Sequence, residues 1–182
     1  MKMKRYDLRS LIFLALCADL GMFSKQLILP AVNALTGLLQ VPGGIATGFS
    51  LLFLVIGAYS VPGRLNGTLM SLIQSVIALC FGMTGNMGAL SVAGYMIPGI
   101  VIDLVLYLLK KSAWSPFFAS VAASASACLF RNAVVYHFTG ILLGQYLLVA
   151  VLSGALFGII AVLVCGRLAP LFQRSYAGNR DA

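Results

Sequence analysis

The sequence contains no glutamate, and its acidic residues are four aspartates. Charged residues make up only 9% of the chain, and histidine occurs once. There is no Gly-rich nucleotide loop, no Ser/His/Asp arrangement and no metal-binding helix motif. We therefore expect neither catalysis nor ATP binding by this chain. A membrane-embedded enzyme would need a set of catalytic residues that the sequence lacks.

The residues that are present are overwhelmingly apolar. Hydrophobic residues make up 61% of the chain, and its mean hydropathy is +1.03. A soluble domain of this size could not bury so much apolar surface. Because a bilayer span takes about 20 apolar residues, we predict an all-α membrane protein with one integral domain over residues 1–182. Breaks at Gly, Pro and charged residues place its helices at 8–35, 43–60, 64–83, 88–110, 114–138 and 144–171.

The first apolar run follows basic residues, as in a signal peptide. It is too long for one and has no small-residue cleavage site, so we interpret it as a retained helix.

The net charge of +8 forms no stripe along a face, which argues against nucleic-acid binding. The expected loops at 36–42, 83–88 and 138–143 contain no Lys or Arg, whereas those at 60–66 and 110–114 do. The positive-inside rule then places both termini in the cytoplasm.

Small residues recur at four-residue spacing, which lets helix backbones approach closely. They lie in Gly44-x-x-x-Gly48, Ala123-x-x-x-Ala127, Gly154-x-x-x-Gly158 and Cys17-x-x-x-Gly21. Packing within the protein is the expected role, and docking against a membrane partner is the alternative. The cysteines Cys17, Cys80, Cys128 and Cys165 show no CxxC or Cys/His spacing, so we expect buried free thiols.

Ionisable residues inside the predicted spans are informative, because each costs at least ~2.5–3.5 kcal/mol to insert. Asp19 and Lys25 lie in the first span, six residues apart on nearly opposite faces, so they cannot pair directly. Asp103 lies late in the fourth span, where a structural pairing with Arg64 is expected. The outer half of the fifth span carries Arg131 and His137.

A substrate-binding site is expected where polar groups meet in the outer half of the bundle. Its predicted residues are Lys25, Met83, Asn86, Tyr95, Arg131, Tyr136 and His137. Neutral imidazole is a good axial ligand for haem iron, so His137 is a candidate metal ligand if the substrate is haem. The simpler interpretations are an interfacial, hydrogen-bonded histidine and methionines that only fill space.

The order of four segments resembles a known family. They are Pro42-Gly43-Gly44-Ile45-Ala46-Thr47-Gly48-Phe49, Gly63-Arg64-Leu65-Asn66-Gly67-Thr68-Leu69, Gly85-Asn86-Met87-Gly88 and Pro98-Gly99-Ile100-Val101-Ile102-Asp103. This order is similar to the substrate-binding S-components of energy-coupling factor (ECF) transporters. The resemblance implies a six-helix protein of the bacterial cell membrane that captures a vitamin or cofactor outside and topples to release it inside. Its implied partners are a transmembrane coupling protein and two ATPase subunits.

In that family an Ala-x-x-x-Ala pattern on the first helix contacts the coupling protein. In this sequence Ala15 is followed four residues later by Asp19, and the nearest substitute is Cys17-x-x-x-Gly21 with Ala18 between. The resemblance therefore assigns partner docking to Ala15, Cys17, Ala18 and Gly21. Besides this family, a structural or assembly membrane protein whose glycines serve only packing stays an alternative.

The substrate is open at this point. A tetrapyrrole such as haem is favoured because Lys25 and Arg131 suit its carboxylates, with His137 on the iron and Tyr136 as the substitute ligand. The alternatives are thiamine, its pyrimidine precursor or another small vitamin. A thiamine-like cation would favour an acidic or strongly aromatic pocket, and the outer halves of the spans supply no carboxylate.

Overall fold

The computed structural model describes residues 8–36, 44–83 and 85–178. It is 88% helical, and no strand occurs within these ranges. The helices are α1 (Leu8–Thr36), α2 (Gly44–Ser60), α3 (Asn66–Cys80), α4 (Ser91–Leu108), α5 (Ser115–Arg131) and α6 (Ile141–Gly178). A 3-10 helix over Gly85–Leu90 precedes α4, and a π-helix over Asn132–Tyr136 follows α5. The predicted all-α class agrees with this architecture.

Four helical segments are long and apolar enough to cross a membrane. They are Leu8–Ile28, Met87–Leu108, Ser115–Tyr136 and Ile141–Leu171. The apolar helices Ala46–Ser60 and Asn66–Cys80 are shorter. At 1.5 Å per residue, a helix of 15 residues such as α3 covers only about 22 Å. These lengths and compositions indicate a helical membrane protein.

Helix α2 lies at the centre of the bundle and contacts every other helix. Its sequence is predominantly apolar and most of its residues from Ser50 to Ser60 are buried, as expected for a helix without a solvent-facing side. Leu51, Leu54 and Val55 are buried there and belong to one core with Leu14 of α1 and Ile102 of α4. The outer sides of the peripheral helices carry exposed leucines. Such a surface suits lipid.

Glycines allow the close approach of α6 to its neighbours. A Cβ atom added to Gly158 would lie 3.1 Å from the Phe117 carbonyl oxygen, and one on Gly154 would lie 3.0 Å from the Val121 Cα atom. A Cβ on Gly48 of α2 would collide with the Ser153 hydroxyl of α6. The predicted intramolecular packing role of Gly154-x-x-x-Gly158 and of Gly48 is confirmed.

At one end of the bundle, α4 holds the start of α3. The Asp103 carboxylate accepts hydrogen bonds from the backbone N–H groups of Gly67 and Thr68, at 2.8 and 2.7 Å, and from the Thr68 hydroxyl at 2.7 Å. A carboxylate is favourable at a helix N-terminus, where amide groups lack helical partners. The expected pairing of Asp103 with Arg64 is therefore corrected: the Arg64 guanidinium carbon lies 5.6 Å from the Tyr107 ring centroid.

The same end is tied to the last turn of α2 by Lys111. Its ammonium group donates to the carbonyl oxygens of Ala58, Tyr59 and Val61, at 3.0, 3.2 and 2.9 Å. Lys111 has a left-handed backbone conformation with φ +53°, just after α4 ends. Burial lowers the pKa of Lys111, and the negative charge of Asp103 opposes that shift. The sequence interpretation used this lysine only as a sign of topology.

All four cysteines are free. Cys17, Cys128 and Cys165 are buried, as predicted. Cys80 is exposed at the last position of α3, so the prediction of a buried thiol is wrong there. The helix ends near this residue because Gly82, with φ +66°, interrupts the backbone conformation.

Candidate functional site

A pocket of about 670 Å³ lies at the end of the bundle opposite Asp103 and Lys111. Here α1, α3 and α5 end and α2, α4 and α6 begin, and each of the six helices contributes lining residues. The volume is in the range of small-molecule sites, about 300–1,000 Å³. We call this region the pocket end of the bundle.

The pocket brings together most of the residues predicted for the site. Its lining includes Lys25, Met83, Tyr95, Arg131 and Tyr136. They come from α1, the turn after α3, α4, α5 and the π-helix, so the bundle gathers positions that are far apart in sequence. The side chain of Asn86, another predicted site residue, lies outside the described residues.

His137 is exposed and is not among the lining residues. It ends the π-helix in a left-handed conformation with φ +51°, which histidine tolerates better than most residues. Its N–H donates to the Asn132 carbonyl at 2.8 Å. The Asn132 side chain fixes the same turn by accepting from the Phe138 N–H at 2.8 Å. The role of His137 as a haem-iron ligand stays a prediction.

The electrostatic character of the pocket is set by two basic side chains. Lys25 and Arg131 both line it, and its lining contains no Asp or Glu among the residues described. The Lys25 nitrogen lies 5.2 Å from the Tyr95 ring centroid, within the range of a cation–π contact. Asp103 belongs to the other end of the bundle. The pocket thus has a positive character.

An aromatic wall closes one part of the pocket. Tyr136 and Tyr146 line it, with ring centroids 5.7 Å apart at 82°. Phe138 stacks on Tyr136 at 5.2 Å and 3°. The π-helix supplies Tyr136, and such helical irregularities are frequent at functional sites. The aromatic rings of this wall line the same pocket as Lys25 and Arg131.

The sequence interpretation missed the uncharged polar residues of the pocket. These are Gln26, Thr47, Ser50, Gln74, Ser91 and Ser124. Some have structural partners: Gln74 donates to the Ala18 carbonyl at 2.8 Å, and Ser124 to the Ala150 carbonyl at 2.7 Å. Ser91 is only 3% exposed, and its hydroxyl oxygen has no partner within the described chain. The sequence does not distinguish a serine that bonds to a backbone carbonyl, such as Ser124, from one without a partner, such as Ser91.

The residues assigned to partner docking lie mostly inside the bundle. Cys17 and Ala18 belong to the core, and Gly21 packs so closely that an added Cβ would lie 2.9 Å from the Ser50 carbonyl oxygen. Ala15 is half-buried. The exposed side of α1 is formed instead by leucines and Phe23. Docking through α1 stays a prediction.

Comparison of the chain with family models, with curated proteins and with solved structures finds no match. The class of protein is defined by the fold and the pocket. It is a helical membrane protein with a small-molecule-sized, positively charged pocket at one end of its bundle. The resemblance to S-components rests on the four sequence segments alone.

Proposed function

We propose that the protein is the substrate-capture (S) component of an ECF-type importer in the bacterial cell membrane. The observation that carries the proposal is the pocket, which lies between apolar helices and combines cations, hydroxyl groups and aromatic rings. A protein whose glycines serve only packing does not need such a pocket. The order of the Gly-Gly, Gly-Arg and Gly-Asn segments adds support from the sequence.

In this proposal all six helices cross the bilayer and the pocket end faces outside. The described pocket-end loop residues, 138–140 among them, carry no Lys or Arg. The opposite end carries Arg64, Lys110 and Lys111. Basic loops stay in the cytoplasm, so the pocket would receive its ligand from outside.

Cysteine labelling tests this orientation. In a variant without the four native cysteines, Thr139→Cys and Ser112→Cys place thiols at exposed positions of the two ends. With a membrane-impermeant maleimide on intact cells, we expect labelling of the cysteine at 139 and protection of the one at 112 until the cells are opened. If only the cysteine at 112 is labelled in intact cells, the end opposite the pocket faces outside and the proposed orientation is wrong.

Transport would require partners, because the chain has no nucleotide-binding loop. A transmembrane coupling protein and two ATPase subunits would supply the energy. Proteoliposomes containing this chain alone should show no ATP-driven accumulation, whereas the complex with its partners should accumulate its ligand. Robust accumulation by the isolated chain, or none by the complete complex with any cofactor, would contradict the proposal.

For the cargo, a tetrapyrrole with carboxylates agrees better with Lys25 and Arg131 than a thiamine-like cation does. If the cargo is haem, Tyr136 is better placed than His137 as the iron ligand, because Tyr136 lines the pocket. Thiamine, its pyrimidine precursor and other small vitamins are the competing cargoes.

A further inference from the structure

We propose that the pocket selects ligands that carry a carboxylate or phosphate group, and that Lys25 and Arg131 hold this group together. The proposal rests on the capture function and names its substrate class: a planar ring compound with an anionic substituent. Haem is one member of the class, and much smaller anionic ring compounds are others.

The first argument is the charge of the pocket. Two cations line one cavity between apolar helices, and no acidic residue lies in its described lining. Like charges repel more strongly in such surroundings than in water. The described acidic groups do not relieve this repulsion, because Asp103 is bound to the first amides of α3 and Asp19 is not part of the lining. An anionic ligand would compensate both cations at once.

The second argument is the buried hydroxyl of Ser91. It lines the pocket, is 3% exposed and has no hydrogen-bond partner within the described chain. Buried polar groups without partners are rare and costly. Ser91 precedes Tyr95 by one helical turn, so both lie on the same side of α4. The Lys25 ammonium lies over that Tyr95 ring. Ser91 and Lys25 therefore both border the part of the pocket beside Tyr95.

The chemistry of these groups selects carboxylate or phosphate. Arginine offers a planar fork of donors that matches two oxygens of either group, and lysine adds a compact charge. The half-buried Tyr136 ring in the aromatic wall offers an aromatic contact for a ring compound. A phospholipid headgroup shares the phosphate. The amide of Gln74 and the hydroxyl of Ser50 in the lining are poor surroundings for acyl chains, so we favour a free small molecule.

Matched ligand pairs test the proposal whichever cargo the protein carries. The full chain in phosphatidylcholine nanodiscs is titrated with haem and haem dimethyl ester, riboflavin 5′-phosphate and riboflavin, and nicotinate and nicotinamide. In at least one pair, the anionic member should bind about tenfold tighter or more than its neutral counterpart. Thiamine serves as a cationic probe and should not bind.

Variants then assign the charge recognition to residues. Lys25→Gln and Arg131→Gln should each weaken binding of the anionic probe by about tenfold or more, and Ser91→Ala by about threefold. Lys110→Gln and Arg167→Gln are at exposed positions remote from the pocket. They should leave binding of the anionic probe unchanged. Lys25→Arg should restore most of the affinity lost in Lys25→Gln. Melting temperatures of all variants establish that they are folded.

Several outcomes would overturn the inference: neutral members that bind as tightly as the anions, anion binding unaffected by both glutamine variants, or no anion bound. A further arm adds phosphatidylglycerol to the nanodiscs. If that lipid is retained at the pocket and no soluble anion displaces it, the recognised phosphate is a lipid headgroup and the small-molecule proposal fails. Uptake of neutral riboflavin or thiamine by the complete transporter, without preference for anions, would refute this inference but leave the capture function standing.

Discussion

Replacing Asp103 by alanine is expected to lower the free energy of unfolding by about 3 kcal/mol or more, because it leaves buried donors without partners. The carboxylate accepts the N–H groups of Gly67 and Thr68 and the Thr68 hydroxyl. These amides begin α3 and have no carbonyl partner within the helix. Asp103 is only 7% exposed and Gly67 is buried, so water does not replace the lost acceptor. Reversible unfolding of the purified protein in mixed micelles measures the change.

Two further variants show that the loss comes from these hydrogen bonds. Asp103→Asn keeps one acceptor oxygen and should cost less than alanine. Asp19→Ala removes an aspartate whose Oδ1 atom is buried without a partner in the described structure, so it should cause little loss or a gain in stability. If Asp19→Ala and Asp103→Ala destabilise the protein equally, the anchoring role of Asp103 is wrong.

Much of the helical architecture could be predicted from the sequence, since hydropathy and helix breaks mark apolar helices directly. The first helix was predicted over 8–35 and is observed over Leu8–Thr36. The fifth was predicted to continue to 138, but its α-helical part ends at Arg131 and a π-helix follows. Hydropathy does not distinguish these two helical forms, because both satisfy the backbone and expose similar side chains.

The candidate site was predictable in its charged and aromatic residues and in Met83, but not in its uncharged polar residues. Lys25 and Arg131 were identifiable because charges inside apolar runs need a reason. Ser91 was not, because a serine hydroxyl often bonds to its own helix backbone. His137 attracted attention as the single histidine, yet its place in a left-handed turn depends on how the π-helix ends. Which helix end Asp103 would meet likewise depends on the packing of α4 against α3, which single-sequence patterns do not contain.

Replacing Lys111 by methionine is expected to lower the free energy of unfolding by about 2 kcal/mol, because the carbonyl oxygens at the end of α2 lose a charged donor. The ammonium group contacts the carbonyls of Ala58, Tyr59 and Val61. Methionine keeps a side chain of similar length, so the variant removes hydrogen bonds with little change in volume. The cost is below the sum of three charged hydrogen bonds, because burial already penalises the charged lysine and lowers its pKa.

Lys110→Met is the matched control for this prediction, since Lys110 is the preceding residue and is exposed with a similar left-handed backbone. It should change stability little.

The pH dependence of stability gives a second measurement of the role of Lys111. Between the lowered pKa of folded Lys111 and the ordinary lysine value of about 10.4, the unfolded chain binds more protons. Stability contributed by this group therefore rises with pH in that window, and the rise should be absent from Lys111→Met. Equal losses in both methionine variants, with identical pH profiles, would show that Lys111 does not anchor α2.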